Sequence, residues 1–195
     1  TFGCSARSDI GTLVSTMLSA QTRDPVTYEA SMRLFARADS PATLAALQAR
    51  TIERLIYPVS FYRNKARHLK VTARDILDRF GGLTPTTMEE LLTLRGVGRK
   101  TANLVLILSH ASKDNICVDT HVHRIANRLG WVKTRTPDQT EQALYRVVPR
   151  RHWPNVNLYL VTWGQNVCRP VYPRCRACVV SSMCPRLGVM KTGKP

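Results

Sequence analysis

Apolar residues recur three and four positions apart almost throughout this chain, and no stretch sustains the alternation of a half-buried strand. That pattern argues against a sheet-based core and predicts an all-α fold. A first helix carries Ile10, Leu13, Val14, Met17 and Leu18, capped by Ser8 or Asp9. A second covers about residues 25–37. Ser40-Pro41 supplies a capping residue and a first-turn proline for a third. Short helical pieces follow to Ile56, and Pro58 breaks the run. An amphipathic helix over about residues 63–80 ends at Gly81-Gly82. Residues 86–94 and 99–109 form a helix pair. Another helix starts behind Asp119 and stops at Gly130, one begins at Pro137, and residues 156–167 lead into a run of cysteines. At 195 residues the chain can bury one core or two small lobes. The polar link Lys113-Asp114-Asn115 suggests a six-helix first domain, 1–112, and a second, 113–195, holding the cysteines.

Between the paired helices lies Leu94-Arg95-Gly96-Val97-Gly98-Arg99-Lys100. Gly96 and Gly98 permit the backbone angles of a tight hairpin and put no side chain in the way of an approaching ligand. The amides of residues 97–99 then point outward at the positive end of a helix, an anion site flanked by Arg95 and Arg99. Lys100 stands just inside the new helix, where the local positive potential disfavours its protonation. A plain interhelical turn beside a solvated lysine is the competing reading.

Lysine and arginine number 29 against 13 acidic residues, a formal charge of +16. So large an excess in a folded chain points to a polyanionic partner, most simply nucleic acid. A generic basic protein would share the charge but not the cysteines described next. No signal peptide and no apolar run long enough to cross a bilayer is found, so a soluble intracellular protein without a membrane partner is expected. The chain opens on Thr1, which fits a start within a longer natural sequence.

Cys168, Cys175, Cys178 and Cys184 fall within 17 residues as C-x6-C-x2-C-x5-C. Four thiols so close in a loop-rich segment suit one metal centre better than two disulfides. Thiolates fit either a tetrahedral zinc or a [4Fe–4S] cluster. Zinc ribbons usually show two close pairs across a long gap, and this run has one. Arg169, Tyr172 and Arg174 occupy the loop between the first two cysteines. Cys4 and Cys117 lie outside the set and read as ordinary thiols.

Two further segments carry polar groups at helix ends. Val118-Asp119-Thr120-His121 places Asp119 as a helix N-cap. Leu18-Ser19-Ala20-Gln21-Thr22-Arg23 reads as a helix end followed by a polar turn.

The run from Leu94 to Ala102 closely resembles the helix-hairpin-helix of DNA base-excision glycosylases, and most of all the endonuclease III family. The cysteine spacing, the Val-Asp-Thr-His run and Leu-Ser-Ala-Gln resemble the same family in the same order, from about Leu18 to Cys184. The resemblance implies a helical barrel-like domain with the hairpin, a smaller helical iron–sulfur lobe, and a DNA-binding cleft between them. It implies that Lys100 is a nucleophile, that Asp119 works with it, and that the four cysteines hold a [4Fe–4S] cluster of structural role. It further implies that Gln21 fills the gap left by an extruded base and that Phe61 stands where the family places an apolar wedge. Burial in the core is the rival reading for Phe61. His121 faces the same cleft or serves the surface. Arg169 and Arg174 meet DNA phosphates or offset the cluster's charge, and both can hold.

A bifunctional glycosylase and abasic-site lyase acting on oxidised or ring-saturated pyrimidines in damaged double-stranded DNA is therefore expected, as a monomer in a bacterial cytoplasm. A monofunctional enzyme of the adenine-removing branch is disfavoured by Lys100 and by a chain ending soon after Cys184. A non-catalytic DNA-binding protein is disfavoured by Lys100 and Asp119 occurring together. Three departures from the family stand out. Arg95 replaces a common proline, which should loosen the hairpin. Phe61, Arg63 and Asn64 alter the wedge loop. No leading helix precedes Ser8.

Overall fold

The computed structural model describes residues 9–193; Ser8 and Cys4 lie outside them. Among the described residues all regular structure is helical, as expected. The chain divides into two compact units, Thr1–Ala111 and Ser112–Pro195.

The first unit holds α1 (Asp9–Ser19), α2 (Asp24–Phe35), α3 (Pro41–Ala46), α4 (Ala49–Ile56), α5 (Tyr62–Phe80), α6 (Met88–Thr93) and α7 (Arg99–Leu108). That is seven described helices where six were expected. Leu47 and Gln48 are extended, with ψ of 144° and 143°, and cut the stretch after Ser40 into α3 and α4. Leu47 breaks helical geometry there and packs against the core. The anticipated signals set most other ends. Ser40 forms a capping box with Thr43, Thr87 caps α6 by accepting from the Glu90 amide, and Gly81 turns left-handed at φ 60° to close α5.

α5 carries much of the unit. It packs on α1, α3 and α4, while α7 packs on α1 and α6. Its buried stripe is Lys65, Ala66, Leu69, Thr72, Ala73 and Ile76, at the three-and-four spacing of one helix face. Leu13, Leu18, Leu34, Ile52, Ile56 and Leu91 complete the core around it. A lysine in that stripe is the exception to the apolar pattern.

The second unit is built on α8 (Thr120–Arg128), α9 (Pro137–Val147) and α10 (Val156–Asn166) around Ile116, Val122, Ile125, Leu144 and Leu160. A 3-10 turn over Arg150–Asn155 leads into α10. Trp153 packs edge-on against Tyr145, centroids 4.7 Å apart, and donates its indole N–H to Val148 O at 2.7 Å. Beyond α10 the chain runs through the cysteine loops. No described helix of either unit is long and apolar enough to cross a membrane.

Candidate functional site

The hairpin forms where the sequence put it. After Leu94 caps α6, Gly96 turns at φ 81° and the Val97 amide donates to Leu94 O at 3.1 Å. Leu94 and Val97 are buried, pinning the hairpin from below, while Arg95, Gly96 and Gly98 are exposed. Gly98 is the N-cap of α7 and no side chain caps that end. The first amides of α7 thus face outward without a side-chain acceptor, which is what an incoming anion needs. Arg99 is half-buried at this end, and Lys100, exposed, sits on the first turn directly behind the hairpin.

Arg95 does not leave the hairpin loose. Its carbonyl accepts from Thr72 Oγ1 at 2.9 Å, so α5 supplies from outside the restraint that a proline would have supplied from within. The His68 ring lies under Gly96, where an added Cβ would come within 2.7 Å of Nδ1. Burial, then the charges of Arg95 and Arg67, push His68 below its ordinary value.

Gln21 and Phe61 are both exposed and both left-handed, at φ 55° and 56°. Phe61 is 65% exposed, so it is no core residue. Their loops are joined. The Ser60 amide donates to Thr22 Oγ1 at 3.2 Å, and Lys65 Nζ reaches the end of α1 from the first turn of α5.

In the second unit Asp119 caps α8. Its Oδ1 accepts from the amides of His121 and Val122 at 2.8 and 2.9 Å, which fixes the carboxylate's direction and leaves Oδ2 outside the cap. His121 is half-buried against Gly164 of α10, where any Cβ would collide with the imidazole. Arg124 Nη2 lies 3.1 Å from His121 Nδ1. A guanidinium can only donate, so Nδ1 accepts and the neutral ring carries its proton on Nε2. The same Nη2 donates to Cys168 O at 2.8 Å. One turn on, Arg128 donates to the carbonyls of Arg169 and Pro170 at 2.6 and 2.8 Å, and to Cys168 Sγ at 3.5 Å. Two arginines of α8 therefore hold the start of the cysteine loop by its backbone.

Cys168, Cys175, Cys178 and Cys184 line one cavity, together with Arg128, Arg174 and Arg186. None of the four is in a disulfide; nor is Cys117, which is buried elsewhere. Burial raises the Cys175 thiol, Arg186 opposes that, and the three neighbouring cysteines add to it, as four thiols sharing one hollow should. Among the described residues no three such ligands close on a single metal ion. That is a poor match to tetrahedral zinc and suits a polynuclear cluster, whose thiolates bind separate metal atoms and stand further apart. Arg169 and Arg174 are exposed on this loop.

Lys100 belongs to the first unit and Asp119 to the second. The side chains that support these groups are ones the sequence did not single out: Lys65, His68 and Thr72 of α5, and Arg124 and Arg128 of α8. Only Lys65 left a signal, a charge in phase with a core stripe.

The HhH-GPD superfamily base excision DNA repair protein family matches residues 14–150. Endonuclease III of Thermotoga maritima is 44% identical over 172 residues, 88% of this chain and 80% of that protein. Endonuclease III-like protein 1 of Mus musculus is 45% identical over 175 residues, 89% of this chain. The chain spans 58% of the mouse protein's length. Among solved structures, an endonuclease III trapped as a covalent intermediate with DNA gives a TM-score of 0.88 at 30% identity, covering 94% of this chain and 87% of that one. A thermostable thymine-DNA glycosylase, at 22% identity and a TM-score of 0.82 over 93% of this chain and 85% of that one, shares the fold. With the hairpin, the aspartate-capped helix and the cysteine spacing in place, the chain belongs to the HhH-GPD superfamily of base excision DNA repair proteins and, within it, to the endonuclease III family.

Proposed function

We propose that this protein is a bifunctional DNA glycosylase and abasic-site lyase that removes oxidised or ring-saturated pyrimidines from damaged duplex DNA. The observation that carries the reading is Lys100, exposed on the first turn of a helix whose amides lack a side-chain cap, directly behind a Gly96–Gly98 hairpin. The hairpin amides and Arg95 and Arg99 grip a phosphate and bring the deoxyribose to the amine. Arg169 and Arg174 add phosphate contacts from the cysteine loop, and His121, held by Arg124, serves as a further DNA contact.

A base inside the stack cannot be attacked, so it is first extruded, at a cost of roughly a few kcal/mol. Gln21 and Phe61, held out from the surface, offset that cost by entering the duplex. The unprotonated Lys100 amine then attacks C1′. A C–N bond forms as the glycosidic bond breaks, and the base departs with the electron pair. Asp119, directed by its cap, takes the ammonium proton or stabilises the cationic sugar. Ring opening gives a Schiff base. Loss of the C2′ proton expels the 3′ phosphate oxygen and nicks the strand, and water releases the lysine. The covalent intermediate of the solved endonuclease III with DNA supports such a path.

The endonuclease III family usually carries a [4Fe–4S] cluster. Here Cys168, Cys175, Cys178 and Cys184 would hold it, and its part is to cross-link the loop bearing Arg169 and Arg174 rather than to join the reaction. We read the enzyme as a monomer acting on chromosomal DNA in a bacterial cytoplasm.

Borohydride reduction during turnover of a lesion duplex should leave a covalent enzyme–DNA adduct. Lys100→Ala should abolish it, and Asp119→Asn should slow its formation. No adduct with the active wild type, or undiminished trapping in Lys100→Ala, would remove Lys100 as the nucleophile.

A further inference from the structure

A non-glycine residue enters the left-handed region at a cost of about 1–3 kcal/mol and stays only where its surroundings hold it. Gln21 and Phe61 both pay that cost, from different loops, with both side chains exposed. One side chain accounts for the pair. Lys65, only 9% exposed, donates to Leu18 O at 2.7 Å, Ala20 O at 2.6 Å and Thr22 Oγ1 at 3.2 Å. Three ammonium protons meet three oxygens, so the group is saturated. Leu18 O and Ala20 O lie at the C-terminal end of α1, where carbonyls lack helical partners and a cation is favoured. On its own side the Lys65 amide donates to Phe61 O at 3.0 Å. Thr22 Oγ1 also accepts from the Ser60 amide at 3.2 Å, closing the link.

We propose that Lys65 is a positioning residue that locks the Gln21 turn onto the Phe61 turn, so that the two probes enter the duplex as one unit. The proposal rests on reading Gln21 and Phe61 as duplex-entering residues. Were packing alone required, a leucine in the α5 stripe would do as well. Burial pushes Lys65 down to about 8, a cost the three oxygens offset by favouring its charged form.

The test uses the full chain and a duplex with 2-aminopurine opposite a tetrahydrofuran abasic analogue, whose fluorescence rises when the opposite base is unstacked. Lys65→Met and Thr22→Val should lower that rise, and single-turnover excision from a lesion duplex, by about tenfold. Both should leave borohydride trapping on a preformed abasic site in single-stranded DNA within about threefold of wild type, because no base needs displacing there. Lys100→Ala should do the reverse, keeping the fluorescence and losing the trapping. If Lys65→Met does not fold, Thr22→Val decides alone, since it buries no new charge.

Equal loss of trapping and excision in Thr22→Val would mark the link as merely structural and overturn the proposal. Phe61→Ala losing the fluorescence while Lys65→Met and Thr22→Val keep it would leave the probes standing and remove Lys65. No fluorescence rise with wild type, unchanged in Gln21→Ala and Phe61→Ala, would sink both readings.

Discussion

Gly96 and Gly98 look equivalent in the sequence, yet the structure asks different things of them. At Gly96 φ is 81°, and an added Cβ would lie 2.7 Å from His68 Nδ1 and 3.2 Å from its Cβ and Cγ. The ring can rotate, but His68 Cβ is fixed to α5 and cannot. Forcing an L-residue into the left-handed region costs about 1–2 kcal/mol, and overpacking against a helix about 1 kcal/mol or more. Gly96→Ala should therefore lower unfolding stability by about 2–4 kcal/mol. At Gly98 φ is −105° and nothing stands within 4 Å of an added Cβ. A less flexible unfolded chain gains about 0.4–1 kcal/mol there, while alanine is the poorer N-cap by a similar amount. Stability of Gly98→Ala should stay within about 1 kcal/mol of wild type. The methyl nevertheless stands where a phosphate would meet the α7 amides, so duplex affinity should fall about tenfold, or about 1.4 kcal/mol. Urea unfolding at constant slope gives the first pair of numbers and fluorescence anisotropy at fixed salt the last. A Gly96→Ala protein as stable as wild type, or a Gly98→Ala protein as damaged as Gly96→Ala, would refute the division of labour.

Two other outcomes are expected. Cys175→Ser should cost the purified protein its visible iron–sulfur absorption and iron content, expose residues 168–186 to protease, and weaken DNA binding with little change in the unfolding of the first unit. His68 should give a pH signature. Its folded value lies below 6.5 because of burial and then Arg95 and Arg67, so its contribution to stability is complete above 6.5 and is lost as pH falls through the folded value. His68→Gln should flatten the decline of unfolding temperature between about pH 6.5 and 5, and an unchanged slope would show that His68 does not carry it.

The helix boundaries were legible wherever a local signal set them. Ser40, Thr87, Asp119, Gly81 and Gly130 act through their own backbone or through amides two or three residues away, so the chain states its caps in place. The break at Leu47-Gln48 was not legible, because helical spacing continues across it and only packing against the core opens it. The turn at 150–155 was missed for a similar reason: Arg-Arg-His-Trp-Pro-Asn has no apolar period, and its order comes from Trp153 lying against Tyr145.

The candidate site divides along the same line. The hairpin is one contiguous segment with two glycines, so its shape could be read directly. That Gln21 and Phe61 belong together could not be, because the link runs through a lysine that local pattern alone assigns to solvent. Nor could the charge excess of +16 locate anything, since basic residues are spread over the whole chain. What marks Lys65 apart is withdrawal from water. Its charge is spent on three oxygens of its own chain, and so it adds to the count of basic residues without adding to the grip on a phosphate. Lys65, His68 and Thr72 stand at i, i+3 and i+7, one face of α5. The first tethers the probe turns, and the other two support the hairpin at Gly96 and Arg95. Probe and grip are therefore registered to one another by a single helix face, and displacing that face would misplace both together, which neither motif read alone could reveal.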